Sequence, residues 1–351
     1  MSFTPGARRV INRSAIGVSL LLAVSGFAAP SLASAPARSA GTASASAPVV
    51  ACTAGAAQST AQAALFAGSG RRSGNTRPDD GMSVSRSVAA SVQRQMADKV
   101  SQRAAQALPN NSVAIPVVAH IILGKKKRAG HMTRAGINDQ LALLNQAYSG
   151  GEAAGATDTP FRFFLKKVTK TRNQKWYRIN KPESRAAVAM KKRLHRGNRH
   201  TLNLYFVKFS AGLLGYSTFP WNAHGKKNLK RDGVVIDYRT RPGGELTYFN
   251  QGDTGTHEIG HWLGLLHTFE GGCGTTDPTM SGDFVADTPP EATPTSGCPI
   301  DGTKNTCLDP TVPDQPDPIH NFMDYAIDPC MTTFTPGQAD RMAQAWLMFR
   351  A

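Results

Sequence analysis

From residue 112 to 240 the chain alternates unbroken apolar runs with periodic, mixed ones. The run "SVAIPVVAHIIL" at 112–123 has no polar face, which predicts a strand buried on both sides. "RAGINDQLALLNQAYS" at 134–149 repeats its apolar residues at helical spacing and predicts an amphipathic helix. "FRFFLKKVTKT" predicts a second strand, and "ESRAAVAMKKRLHR" a helix with a basic outer face. "TLNLYFVKF", "GLLGYSTFP" and "DGVVIDYRT" continue the strand pattern. Earlier, "VSRSVAASVQRQMADKVSQRAAQAL" has the apolar spacing of a helix that packs on the domain downstream of it. The last such pattern, "TPGQADRMAQAWLMF", starts near Thr335 with proline in its first turn. The order predicts an α/β (α+β) architecture: an upper mixed-sheet subdomain above a less regular lower one rich in Pro, Gly and Asp.

Between these halves lies "THEIGHWLGLLHTF", residues 256–269. His257 and His261 are four apart, so a helix sets both imidazoles on one face. Two imidazoles at that spacing grip one zinc ion, and Glu258 between them suits a general base for zinc-bound water. Gly264 is the residue type that ends a helix in a left-handed turn, after which His267 returns as a third ligand. Three protein ligands leave the fourth position open, as in catalytic sites. Downstream, "HNFMDYAIDPCM" carries Met323 and Tyr325.

The extended histidine pattern, "GDFVADTPP" and "NFMDYAIDPCM" followed by "FTPGQADRM" resemble the pappalysin family of metzincin zinc proteases, over roughly residues 112 to 351. The resemblance implies hydrolysis of peptide bonds with one catalytic zinc. It makes Met323 the apolar floor below the metal and places the Tyr325 hydroxyl near it. It assigns "GLLGYSTFP", with Gly215 and Tyr216, to an edge strand that pairs with extended substrate; read from the residues, the stretch serves equally as an internal strand. It also implies a calcium ion near Asp283, Asp287 and Thr288, where hard oxygen donors cluster; an Asp-rich turn explains them as well. Asp328 corresponds to an acid at the base of the pocket for the residue after the scissile bond. This predicts cleavage before Arg, with Lys weaker. The bland alternative is that Asp328 caps the turn before Pro329.

Composition adds organisation. Residues 1–35 read as a secretory signal peptide, with a basic start and an apolar core too short to span a bilayer. Residues 36–85 form a low-complexity pro-region, and residues 86–351 the catalytic domain. A secreted, extracellular monomer acting on protein or peptide substrates is expected, with no membrane span after signal removal. The net charge of +16 divides unevenly: residues 101–250 carry 27 Lys and Arg against 7 Asp and Glu, whereas residues 251–351 carry 3 against 14. The basic clusters lack aromatic stacking partners, so they read as solvated surface and no nucleic acid is expected.

Cys273, Cys298, Cys307 and Cys330 permit three pairings in an oxidising compartment. The family pattern implies Cys273–Cys307 and Cys298–Cys330. Cys52 remains odd. A thiolate from the pro-region would fill the open zinc position and keep a zymogen silent, unless it is an incidental thiol or is lost with a long leader. "GSGRRSG" nearby offers self-cleavage before Arg71 or Arg72.

Overall fold

The computed structural model describes residues 77–102, 108–210, 212–274, 277, 282–308 and 314–351. These belong to one unit, Gly70–Ala351. The signal segment, Cys52, Arg71 and Arg72 lie outside the described residues.

The elements match the apolar pattern. Helix α1 (Arg86–Gln102) leads to strand β1 (Val113–Leu123) and helix α2 (Arg134–Tyr148). Thr133 caps α2, its Oγ1 accepting the Gly136 N–H at 3.0 Å. Strand β2 (Phe161–Arg172), the single turn α3 (Gln174–Tyr177), strand β3 (Arg178–Ile179) and helix α4 (Arg185–Leu194) come next. Then come β4 (Leu202–Phe209), β5 (Gly215–Tyr216), the short α5 (Gly225–Leu229) and β6 (Val234–Asp237). Helix α6 (Asp253–Leu263) carries the first two histidines, and α7 (Pro336–Ala345) closes the fold.

The sheet runs β2-β1-β4-β6-β5, with β3 beside β4. The pairings are parallel except β5, which lies antiparallel to β6. β1 sits between two parallel neighbours and buries both faces, as its apolar run requires. β5 is the sheet edge. One core cluster joins one face of the sheet to α2, α6 and the C-terminal segment. A second lies on the opposite face, beneath α4.

One expectation fails in detail. The sequence pattern turns the basic residues of α4 outward, yet Lys191 is wholly buried. The described residues between Gly264 and α7 have little regular structure, and the disulfides Cys273–Cys307 and Cys298–Cys330 tie them together. α7 starts with a reciprocal capping box between Thr335 and Gln338.

Two buried arginines clamp the far end of α6. Arg341 Nε donates to Gly264 O at 3.0 Å, and Arg350 Nε to Trp262 O at 3.0 Å. Cations here satisfy carbonyls at the negative end of the helix. Arg350 also forks onto Asp232 at 2.9 and 3.1 Å and lies 3.6 Å over the Trp262 ring. Among the described residues, no helix is long and apolar enough to cross a membrane.

Candidate active site

α6 is buried along its whole length, unusual for a helix with this many polar side chains. The polar groups are buried because they face one another and the loop below. Gly264 takes φ of 105°, ending the helix in the left-handed turn expected from sequence. The chain then returns His267 to the same point.

The three Nε2 atoms converge. His261 and His267 are 3.1 Å apart at Nε2. The other ring nitrogens are held from behind: His257 Nδ1 by Phe322 O at 2.7 Å, and His261 Nδ1 by Leu265 O at 2.8 Å. A carbonyl there fixes the proton on Nδ1 and leaves Nε2 as a lone-pair donor. His267 Nδ1 faces the Glu270 carboxylate at 3.6 Å, and its ring stacks on Phe269.

A fourth group joins them. Asp80 Oδ2 lies 3.1 Å from His257 Nε2, 3.0 Å from His267 Nε2 and 3.4 Å from His261 Nε2. Ligand atoms on a tetrahedral zinc stand about 3.3 Å apart at ordinary bond lengths. The four donors therefore fit zinc in type and in spacing. Asp80 is buried, which opposes ionisation, but the His267 charge and the contacts with the three rings outweigh this and hold its carboxyl well below the usual range.

Asp80 was missed by sequence reasoning. Cys52, expected at the open zinc position, lies outside the described residues; among the described residues the carboxylate of Asp80 is the fourth member of the cluster. One signal was available. Residues 1–100 contain three acids, and two of them are the adjacent Asp79 and Asp80. The same segment places Arg77 against Asp328, Nη2 to Oδ1 at 3.2 Å, with both side chains buried. The Arg77 guanidinium lies 5.4 Å over the Phe249 ring and reaches Met331 Sδ at 3.9 Å. Asp328 Oδ2 accepts the N–H groups of Gln251 and Gly252, so it also anchors the loop leading into α6. Glu152 faces the same charges, and burial with Asp328 nearby pushes it up to about 7.

Glu258 is buried and its Oε2 has no hydrogen-bond partner. Burial, with the Asp80 charge beside it, raises its carboxyl well above the ordinary range. Gly215 on the edge strand comes so close that a Cβ there would meet the Glu258 side chain at 2.6 Å. Any side chain at 215 would displace that carboxylate. Met323 lies beneath α6, its sulfur against Gly260. The Tyr325 hydroxyl accepts the Asp80 N–H at 3.1 Å, and its ring meets His267 edge-on.

The structure brings His257, Glu258, His261, His267, Gly215, Met323 and Tyr325 together, with Tyr216 beside Gly215 on β5 and Asp328 joined to the site through Arg77 of the Asp80 segment. The three side chains expected for calcium lie on the loop at 283–288. Asp287 is committed to the start of α7, accepting from Thr335 Oγ1 at 2.7 Å and Gly337 N at 2.8 Å. Asp283 Oδ2 and Thr288 Oγ1 are buried without a hydrogen-bond partner.

A buried three-histidine zinc site on a helix that ends in a glycine turn, floored by a methionine below an α/β sheet, defines a metzincin-type zinc metalloprotease. The family model for pregnancy-associated plasma protein-A matches residues 195–346. An extracellular metalloprotease of Verticillium alfalfae is 38% identical over 247 residues, covering 69% of this chain and 80% of the relative. One of Neurospora crassa is 39% identical over 264 residues, covering 74% and 84%. Mature mirolysin of Tannerella forsythia, solved with a cleaved peptide, is similar at a TM-score of 0.54 and 28% identity, over 67% of this chain and 91% of that one. A mutant of its precursor, promirolysin, is similar at 0.58 and 25%, over 74% and 90%. The chain belongs to the pregnancy-associated plasma protein-A family of metallopeptidases.

Proposed function

We propose that this protein is a secreted zinc endopeptidase that cuts on the amino side of Arg, with Lys weaker, and that residues 77–82 hold it latent. The observation that carries the proposal is the path of that segment, with Arg77 on Asp328, Asp80 among the histidines and Met82 beside the edge strand. The contacts of Arg77 support the Arg preference. A guanidinium fits between an aromatic face and a buried carboxylate, where planarity favours Arg over Lys.

Zinc, when bound, lowers the pKa of a water and polarises the scissile carbonyl. Glu258, with one oxygen unpartnered, is the carboxylate that would accept a proton from the attacking water and deliver it to the leaving amine. Tyr325, released from Asp80, donates to the oxygen that gains negative charge. The edge strand offers its backbone to the residues before the cut.

The latent segment runs from the Asp328 pocket toward β5. A substrate with Arg in that pocket runs the other way, so the segment presents no bond in the productive direction. Cuts before Arg71 or Arg72 would leave Asp80 attached. The next Arg after Arg77 is Arg86, and both Ser85 and Arg86 are exposed. Cutting between them frees the latch and leaves α1 on the domain. Calcium has no part in this reading.

The test is a cleavage profile of the zinc-loaded enzyme on a peptide library. Arg is expected directly after the cut, with Lys second. An apolar preference there would exclude the Asp328 pocket.

A further inference from the structure

Lys191 is fully buried on a helix whose neighbouring Lys192 and Arg193 are exposed. Burying an ammonium is costly unless its protons are bonded. Among the described residues no carboxylate lies within ion-pair distance of it. Its Nζ donates to Thr218 Oγ1 at 2.9 Å and to Gly233 O at 3.1 Å. The Tyr216 ring centre lies 4.7 Å away, within reach of a cation–π contact.

These partners obey a register. β5 pairs Gly215 with Ile236 and Tyr216 with Val235, and there the ladder stops. Continued antiparallel, the next pairs would be 217 with 234 and 218 with 233. Lys191 bridges residues 218 and 233, across the gap where the ladder would have run on. The stretch it secures, Tyr216 to Thr218, lines a cavity of about 580 Å³ together with residues 81–85 of the N-terminal segment. Inside that stretch the Ser217 N–H faces Met82 Sδ of the N-terminal segment at 3.4 Å, so a chain lying in the cleft already meets this backbone.

We propose that Lys191 is a positioning residue for substrate. From behind the sheet edge its ammonium, together with the Thr218 hydroxyl on Arg231 O at 3.1 Å and Gly233 O at 3.4 Å, stands in for the missing ladder bonds and holds residues 216–218 in line to receive the residues before the cut. The inference rests on the endopeptidase reading above. Burial pushes the ammonium down from its ordinary value to about 8. The charged groups facing it are Glu183 ahead of α4, Asp232 and Arg231 ahead of β6, and Glu258 on α6; the acids favour the charged form and Arg231 opposes it. Above about pH 8 the bridge therefore loses a proton and its charge.

The experiment compares Lys191→Met and Lys191→Arg with the parent, each purified as the full chain, loaded with zinc and allowed to process itself. Two peptides are used, both with Arg after the cut, one with a single residue before it and one with four. In the parent the longer peptide has the lower KM, and this advantage fades above about pH 8. Lys191→Met is expected to raise KM for the long peptide about tenfold, the worth of one or two hydrogen bonds. Its kcat should stay within about twofold, and the short peptide should be unaffected. Lys191→Arg keeps its charge, so it should remove the alkaline rise in KM. Equal losses on both peptides, or an unchanged long-peptide KM, would overturn the positioning role. If Lys191→Met does not fold, an alkaline rise that persists in Lys191→Arg overturns it instead. A parent with no Arg-directed cleavage would sink the endopeptidase reading itself.

Discussion

The two walls of the cleft are built differently. Above it, residues 113–264 form regular elements whose apolar runs fill the core. Below it, the described residues of 265–331 have almost no regular structure and are held by two disulfides and buried polar contacts. On the proposed reading the upper wall supplies the chemistry, through α6 and the edge strand, and the lower wall supplies the choice of substrate, through Asp328. The difference corrects a simple view of the charge. Of the 14 acids in residues 251–351, seven are buried: Asp253, Glu258, Asp283, Glu291, Asp317, Asp324 and Asp328. Lys304 sits between two of them, Glu291 at 2.5 Å and Asp317 at 2.7 Å. At least half of these acids are thus internal architecture, which weakens them as a long-range field for basic substrates.

The largest expected effect breaks the chemistry alone. Glu258→Ala should lower kcat/KM by about 10³ to 10⁴, while metal analysis still finds one zinc. Substantial remaining activity would remove Glu258 from the mechanism. Next comes the choice. Asp328→Asn should cost about 100-fold in kcat/KM on an Arg peptide, because it uncouples a buried charge pair. Peptides with an apolar residue at that position should lose far less, and equal losses would show that Asp328 serves only the loop before α6.

A third change addresses how the upper wall is braced. Arg350→Met leaves Asp232 buried with only the Trp262 N–H at 3.1 Å for compensation. A loss of about 3 kcal/mol in denaturant unfolding is expected, and a loss below about 0.5 kcal/mol would mean the clamp is dispensable. The smallest effect lies in the lower wall. Burial pushes Asp283 up to about 7, against the pull of the Val285 N–H and Arg341. The folded chain then holds a proton that the unfolded chain releases near pH 4, so this group lowers stability as pH rises from about 4 to 7. Asp283→Asn should raise Tm by a few degrees at pH 8, roughly 1 kcal/mol, and change little at pH 4. A calcium-dependent Tm gain in the parent that the variant lacks would instead make this loop a cation site.

The upper wall was legible because its apolar positions repeat. Strand β1, helix α2 and strand β4 fall where their patterns end, and Gly264 stops α6 as its residue type requires. The histidines were legible because a metal needs its ligands at fixed spacing, two on one helix and the third just past its glycine turn. Asp80, Arg77 and Lys191 were not. Each acts through a partner distant in the chain, 251 residues away for Arg77 and Asp328, and local periodicity carries no record of such pairs. Lys191 was misassigned because a basic run on a helix normally faces water, and nothing in the run marks the one lysine that bridges two strands.

Latency is tested most directly in a chain that cannot shed its N-terminal segment. Arg86→Ala blocks the proposed cut, and hydrolysis of an Arg peptide is then measured with and without Asp80→Ala, with N-terminal sequencing to show that both chains stay intact. With Asp80 present the intact, zinc-loaded chain should be nearly silent, and Asp80→Ala should switch it on while it is still uncut. An intact Arg86→Ala chain already as active as the processed enzyme, and indifferent to the loss of Asp80, would contradict the latch.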